Sequence, residues 1–431
     1  MKKYTIAKGL FDILPYGAKE PWAHSHLWSY VENALRSKAE LYGFEEIRTP
    51  IFEHAGVFSV GIGSTSDIVS KEMYTFEDKK KRLLALRPEG TSALLRAFFE
   101  KSLFQERKVH KLFYFAPMFR YEKPQAGRYR QHHQFGVEVL GSSSAEQDVE
   151  IIDLLLSFYQ DLGLKGLSLH LNSVGDIPSR EAYKKALKSY LEPYLPKLSK
   201  ESTIRFSENI LRILDTKAEE DQEILKNAPS ILDYLSPDAK AHFMGVQSHL
   251  EALGISYEIN PRIVRGLDYY QKTVFEITAP GIGSQNAIGA GGRYDGFPKL
   301  FSGQDLPGTG FGTGIERVIQ TMLAQNCLFP PKKAPFVFFA PLHSSCIKPL
   351  FLLTKALRDL KIPAEIDLTG KKIQEQLKRA NQLEATYTLL LGEDEKKQGT
   401  LQCKHMKTRT QEVITLQDAC KVIEEKWKNR S

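Results

Sequence analysis

The sequence is poor in cysteine. It has four, at positions 327, 346, 403 and 420, and no pair is spaced C-x-x-C. That excludes a disulfide-stapled scaffold and gives no zinc-ligand spacing. Four unlinked thiols suit a reducing cytoplasm. No apolar run approaches the ~18 residues that span a bilayer. The most hydrophobic short run, Phe336 to Leu342, reads as a buried strand. The first residues, MKKYTIAKGLFDILP, hold no continuous apolar segment and no small-residue cleavage site, so no secretory signal is expected. Internal repeats and low-complexity tracts are missing, and so is the phosphate loop pattern G-x-x-x-x-G-K-[ST]. What is present is ordinary for a globular chain. The 431 residues are 42% hydrophobic and 10% aromatic, enough core for about two to four domains. Lys and Arg outnumber Asp and Glu by 59 to 52, a net charge of +7. Alone, that is a faint pointer to an acidic partner. Its distribution says more: residues 334–431 hold 17 Lys and Arg against 12 Asp and Glu, so +5 of the +7 lies in the last quarter.

Periodicity predicts one amphipathic helix over 21–42, ended by Gly43, and a strand over 44–52 interrupted by Pro50. Two strands flank a polar loop, 122–133, which makes a hairpin with a long loop of the kind that carries function. A periodic helix over 149–162 and a strand over 168–172 follow. Residues 174–254 are rich in Lys, Glu, Leu and Pro with no convincing strand, and read as a helical insertion. Eleven glycines fall between Pro280 and Gly314. The Pro- and Lys-rich stretch 326–333 reads as a linker. Beyond it, strands alternate with helical patterns over 334–431, the mark of a compact α/β domain.

Several constellations could carry chemistry. The loop 120–130 holds four basic residues and one acid, and arginine forks at a strand end suit phosphate. Gly308, Gly310, Gly312 and Gly314 alternate, so a strand would place them on one face, open to a flat ligand or another backbone. A helix opens just after them with Arg317 in its first turn, a pattern that suits ATP. Arg265-Gly-Leu-Asp-Tyr-Tyr270 and Ala290-Gly-Gly-Arg-Tyr-Asp-Gly296 each combine a cation, an acid and aromatics. Leu86-Arg-Pro-Glu-Gly-Thr91 puts a carboxylate and a hydroxyl in a turn before a helix, where the simplest expectation is capping by Thr91 or Ser92. His132 and His133 are adjacent and cannot easily share one metal, so no metal ligands are expected.

Together these segments resemble the class II aminoacyl-tRNA synthetases, specifically the histidyl-tRNA synthetase family. Phe44-Glu-Glu-Ile-Arg-Thr-Pro50 is similar to the first class signature, Met118-Phe-Arg-Tyr-Glu122 with its loop to the second, and Gly310 to Arg317 to the third. The segments 265–270 and 290–296 resemble the two histidine-specific signatures. The resemblance implies an α+β fold. It would have a class II catalytic core over 1–325 (an antiparallel sheet flanked by helices, with the insertion at about 174–254), the linker 326–333, and an α/β anticodon-binding domain over 334–431. It implies ATP-dependent activation of L-histidine and transfer to tRNA(His), with Mg2+ on the ATP phosphates, in a cytoplasmic homodimer without membrane attachment. It assigns Arg120 to the α-phosphate, Arg317 to the γ-phosphate, Arg128 to the outer phosphates and Glu122 to adenine. Arg265 would contact both the histidine carboxylate and the α-phosphate. Glu138 and Tyr270 would pair the imidazole, Glu89, Thr91 and Gln134 the α-ammonium, and Tyr269 would line the pocket. Gln125 would meet the tRNA acceptor end. A rival resemblance is the regulatory paralogue that binds histidine without charging tRNA. Such proteins usually lack the C-terminal domain and erode the second histidine signature, both of which are present here.

Overall fold

The unit that ends at Pro330 is organised by an eight-stranded sheet. In this computed structural model residues 4–62, 68–124, 127–263, 269–283 and 286–430 are described. The strands run in the order Glu45–Glu46, His110–Phe119, Gln131–Leu140, Gly308–Gly314, Ala287–Arg293, Gln271–Thr278, Ser168–Ser173 and Glu258–Ile259. The six central strands pair antiparallel, while the two-residue strands at either edge pair parallel. Alternation sorts the side chains. Phe113, Phe135, Val137 and Val139 point into the main core beneath the helices Ser25–Leu41, Ala145–Asp161 and Ile315–Ala324. Tyr114, Ala116, Gln134, Gly136 and Glu138, one residue out of phase, face the other way. That second face is covered in part by the helix Thr91–Glu100, whose Leu94, Leu95 and Phe98 pack on Tyr114, Tyr269, Tyr270 and Tyr294.

Two local predictions need correction. The helix expected from residue 21 begins at Ser25, after a 3-10 turn at Pro21–Ala23. His24 is extended because the backbone here bonds to Leu14: Leu14 N–H donates to Ala23 O and Ser25 N–H to Leu14 O, each at 2.9 Å. The strand expected over 44–52 shrinks to Glu45–Glu46 and Phe52–His54. Between them the buried Arg87 takes the carbonyls of Thr49 at 3.0 Å and Pro50 at 3.3 Å, contacts a ladder would otherwise claim. Phe52–His54 instead joins Leu83–Leu86 and Thr75–Glu77 in a small sheet. Ile51, Phe52, Phe76 and Leu83 lie exposed in or beside it.

The stretch from Ile177 to Ala252 contains helices and 3-10 turns and no strand among its described residues. Tyr183, Leu187, Ile213 and Leu225 give it a small core of its own. Its last helix, Pro237–Ala252, differs: Phe243, Val246 and Leu250 enter the main core.

The chain divides into two compact units, one ending at Pro330 and one beginning at Pro331. The second has a five-stranded sheet ordered Ala364–Ile366, Val337–Pro341, Tyr387–Leu391, Thr400–His405, Gln411–Thr415. Its first three strands are parallel and the last two form an antiparallel hairpin. All four thiols are free. Among the described residues no helix is long and apolar enough to cross a membrane.

Candidate active site

A cavity of about 590 Å³ opens on the sheet face opposite the main helices. Glu89, Thr91, Arg120, Glu122, Arg128, Gln134, Glu138, Tyr269, Tyr270 and Arg317 all line it. Arg265 and Gln125 lie outside the described residues.

Strand register explains the floor. Glu138 stands opposite Gly310, Gly136 opposite Gly312, and Tyr114 opposite Gly136. The glycines leave room for side chains from neighbouring strands to lie flat. A Cβ on Gly310 would sit 2.0 Å from Glu138 Oε2, and one on Gly312 2.2 Å from Gln134 Nε2. One on Gly308 would sit 2.3 Å from the Tyr294 ring. Three of the four glycines on the face predicted to lie open to a flat ligand or another backbone are therefore backed by this chain's own side chains, and a Cβ on Gly314 would meet nothing within 4 Å. The Tyr114 ring fills a slot between two further glycines, since a Cβ on Gly90 or Gly136 would approach its Cζ to 2.2 or 2.3 Å.

At one end of the cavity the groups are carboxylates and hydroxyls. Glu89 is buried and accepts the backbone N–H groups of Thr91 at 2.6 Å and Ser92 at 2.9 Å. It, rather than Thr91 or Ser92, satisfies the orphan donors opening the helix Thr91–Glu100. The Thr91 hydroxyl is thereby left to donate to Glu138 Oε1 at 2.6 Å. The other oxygen of Glu138 accepts from the Tyr294 hydroxyl. Burial pushes the Glu138 carboxyl up to about 8, against the hydrogen bonds from Thr91 and Tyr294. It raises the Glu89 carboxyl too, with the bonds from Ser92 and Thr91 and the charge of Arg120 opposing. Gln134 Nε2 donates to the Tyr114 hydroxyl at 3.1 Å. Tyr269 stacks on Phe297 at 4.2 Å between ring centroids and leans on Tyr270 at 4.8 Å.

At the other end are guanidiniums. Arg120 Nε donates to Pro88 O at 2.9 Å, and Arg317 donates to Gly127 O at 3.2 Å and Ala287 O at 2.9 Å. Arg128 approaches the Glu122 carboxylate at 3.5 Å. Burial, with Arg128 nearby, depresses the Arg317 guanidinium from its ordinary value. The loop carrying Arg120, Glu122 and Arg128 is closed at its base by Arg120 N–H donating to Arg130 O at 3.0 Å. His132 also lines the cavity; burial, then Arg120, pushes its imidazole well below its usual value and holds it neutral. His133 faces the other way, its backbone N–H and Nδ1 both on Glu316 Oε1.

Tyr114 and Glu276 line the cavity without having been singled out in the sequence, as do Asp215 and Lys217 from the insertion, while His132 and Tyr294, named there without a role in binding, line it too. The signal for Tyr114 is its phase, since it shares a sheet face with Gln134 and Glu138. Arg293 teaches the converse. It sits in a signature with a cation, an acid and aromatics, yet it is fully buried away from the cavity lining. It holds Asp148 at 2.7 Å, Asp295 at 2.9 Å, and the carbonyls of Ser142 at 2.8 Å and Ser144 at 2.9 Å. His242 reaches the same Asp148 at 2.8 Å.

The chain resembles known proteins over nearly its whole length. Residues 21–318 match the family model described as histidyl-tRNA synthetase, and residues 337–426 match the anticodon binding domain. The histidine–tRNA ligase of Protochlamydia amoebophila is 48% identical over 416 residues, covering 96% of this chain and 98% of that relative. The histidine–tRNA ligase of Bacillus licheniformis is 44% identical over 418 residues, covering 96% and 97%. The crystal structure of apo Staphylococcus aureus histidyl-tRNA synthetase superposes with a TM-score of 0.82 at 33% identity, covering 98% of this chain and all of that one. The chain belongs to the histidyl-tRNA synthetase family.

Proposed function

We propose that this cavity is where the chain joins L-histidine to ATP before charging tRNA. The reaction is the aminoacylation of tRNA(His) with histidine. The histidine carboxylate attacks the ATP α-phosphate in line, diphosphate leaves, and the histidyl group passes from the adenylate to the tRNA 3′ end as AMP is released. The observation that carries the reading is the meeting, in one cavity, of a buried hydrogen-bonded carboxylate set with a cationic fringe. Little covalent chemistry falls to the protein, so its work is positioning and charge stabilisation.

Glu138 and Tyr270 pair the imidazole nitrogens. An apolar analogue would leave these groups unpaired, which makes rejection strong. Glu89, Thr91 and Gln134 hold the α-ammonium, and Tyr269 walls the pocket. Arg120 takes the α-phosphate, Arg317 the γ-phosphate and Arg128 the outer oxygens, with Glu122 at the adenine. Arg265 and Gln125 are assigned by family resemblance alone, Arg265 to the histidine carboxylate and α-phosphate and Gln125 to the acceptor end of tRNA.

Mg2+ would ride on the ATP phosphates and neutralise part of their charge. No cluster of three or more His, Cys, Asp or Glu among the described residues forms a dedicated cage. Mg2+ bound through nucleotide phosphates needs only one or two carboxylates. Glu276, which lines the cavity and acts electrostatically on Arg317, is suited to that part. The excess of basic residues in 334–431 suits the anticodon end of tRNA. The exposed Ile51, Phe52, Phe76 and Leu83, beside the segment with Pro50, support a homodimer interface there. Four free thiols suit the cytoplasm.

The test is histidine-dependent exchange of labelled diphosphate into ATP with the purified chain and Mg2+. Exchange that requires histidine is expected; none would sink the reading.

A further inference from the structure

The helical insertion leaves and rejoins the main sheet at one root. Its first helix, Ile177–Leu191, is capped by Asp176, whose Oδ1 accepts the Ser179 N–H at 3.0 Å. Its last, Pro237–Ala252, is capped by Ser236, whose Oγ accepts the Ala239 N–H at 3.1 Å. The two caps are joined to each other. The Ser236 hydroxyl donates to Asp176 Oδ2, and the Ser236 N–H donates to Ser179 Oγ at 2.8 Å. The first helix is thereby tethered to the last, whose Phe243, Val246 and Leu250 sit in the main core.

That root is bound to the start of the strand Gln271–Thr278. Val174 N–H donates to Lys272 O at 2.8 Å, and Lys272 N–H donates to Gly175 O at 2.9 Å. Lys272 has φ +51°, a left-handed conformation that lysine rarely adopts and that persists where surrounding contacts over-determine it. Its Nζ meets Asp238, in the first turn of the last helix, at 2.9 Å. One turn into the first helix, Arg180 Nη1 donates to the carbonyl oxygen of Tyr270 at 3.2 Å. Tyr270 lines the cavity, two residues before the left-handed Lys272.

We infer that Arg180 is a positioning residue that couples the helical insertion to the amino-acid end of the cavity. The guanidinium fixes the main chain of Tyr270 against the insertion root, and the main chain aims the phenol. A shift of the insertion moves the donor and with it the Tyr270 ring. Linkage then makes the coupling reciprocal: whatever partner the insertion grips alters histidine affinity by the factor with which histidine alters that grip. The inference rests on the reading of Tyr270 as a histidine-binding group.

The test compares Arg180→Ala, Arg180→Lys and Asp238→Ala with wild-type protein by equilibrium dialysis of labelled histidine and by diphosphate exchange. Melting curves confirm that each variant is folded. Arg180→Ala is expected to weaken histidine binding and raise its KM by about tenfold, the scale of one lost charge-assisted hydrogen bond. The KM for ATP should stay as in wild type. Arg180→Lys, which keeps a cationic donor, should recover most of the loss. Asp238→Ala removes only the ion pair to Lys272, keeps the cap-to-cap bonds and the Arg180 contact to Tyr270 that hold the root in place, and should leave histidine affinity near wild type. A folded Arg180→Ala with unaltered histidine affinity would overturn the coupling, as would equal losses for ATP and histidine, or an Asp238→Ala that matches Arg180→Ala. Wild-type protein that binds no histidine would overturn the reading of the cavity along with it, so the two failures are distinguishable.

Discussion

The two ends of the cavity are built from opposite materials. At the carboxylate end Glu89 and Glu138 are buried, and their oxygens are occupied by Thr91, Ser92 and Tyr294. At the guanidinium end Arg120, Arg128 and Arg317 are partly or largely exposed, and Arg120 and Arg317 donate to neutral backbone carbonyls. A buried, paired end discriminates by hydrogen-bond pattern, because any mismatch strands a desolvated group. An exposed cationic end supplies field, which acts on charge whatever carries it and is screened by salt.

Three experiments press on that division. The largest effect belongs to Arg120→Ala, which should cut diphosphate exchange by about 10²–10³-fold, as loss of one preorganised charge stabiliser does. Histidine binding without ATP should be retained, and dialysis showing its loss would mean the two ends are not separable. Next is Glu138→Gln. A carboxyl raised to about 8 in the folded protein, against an ordinary 4.5, keeps a proton that the unfolded chain gives up. Its contribution to stability is therefore complete below about 4.5 and is lost as pH climbs through about 8. Glu138→Gln cannot titrate, so its melting temperature should fall less steeply with pH across that window. Identical slopes for variant and wild type would show that Glu138 is ionised in the fold. The smallest effect is ionic. Raising KCl from about 0.05 to 0.5 M shrinks the Debye length from roughly 14 to 4 Å. The KM for ATP should rise roughly threefold while that for histidine stays flat, and parallel rises would erase the distinction.

Much of the cavity lining is legible in the sequence, because its residues sit in short contiguous signatures. The alternation of Gly308, Gly310, Gly312 and Gly314 identified a strand with one bare face. It could not say what covers that face. The cover comes from Gln134 and Glu138, more than 150 residues earlier, and depends on a register visible only once the strands pair. The partners of Arg293 were hidden for a related reason: its burial depends on Asp148, supplied by a distant helix. The hairpin Thr400–His405 with Gln411–Thr415 was overlooked because its second strand is mostly polar and exposed, including Val413, and shows little apolar periodicity. Glu89 lines the cavity, and its part in opening the helix was expected of Thr91 and Ser92, which stand where caps usually stand.

The slot around Tyr114 has a consequence for how this protein can evolve. Gly90 and Gly136 offer no functional group, yet each is forbidden a single methyl by the same phenol ring. A mutational scan would rank them beside Glu138 and Arg120 and invite the mistaken label of catalytic. The constraint belongs to the trio rather than to its members. A methyl at position 90 or 136 becomes admissible only in a background where position 114 has already shrunk, so these three sites must change in a set order.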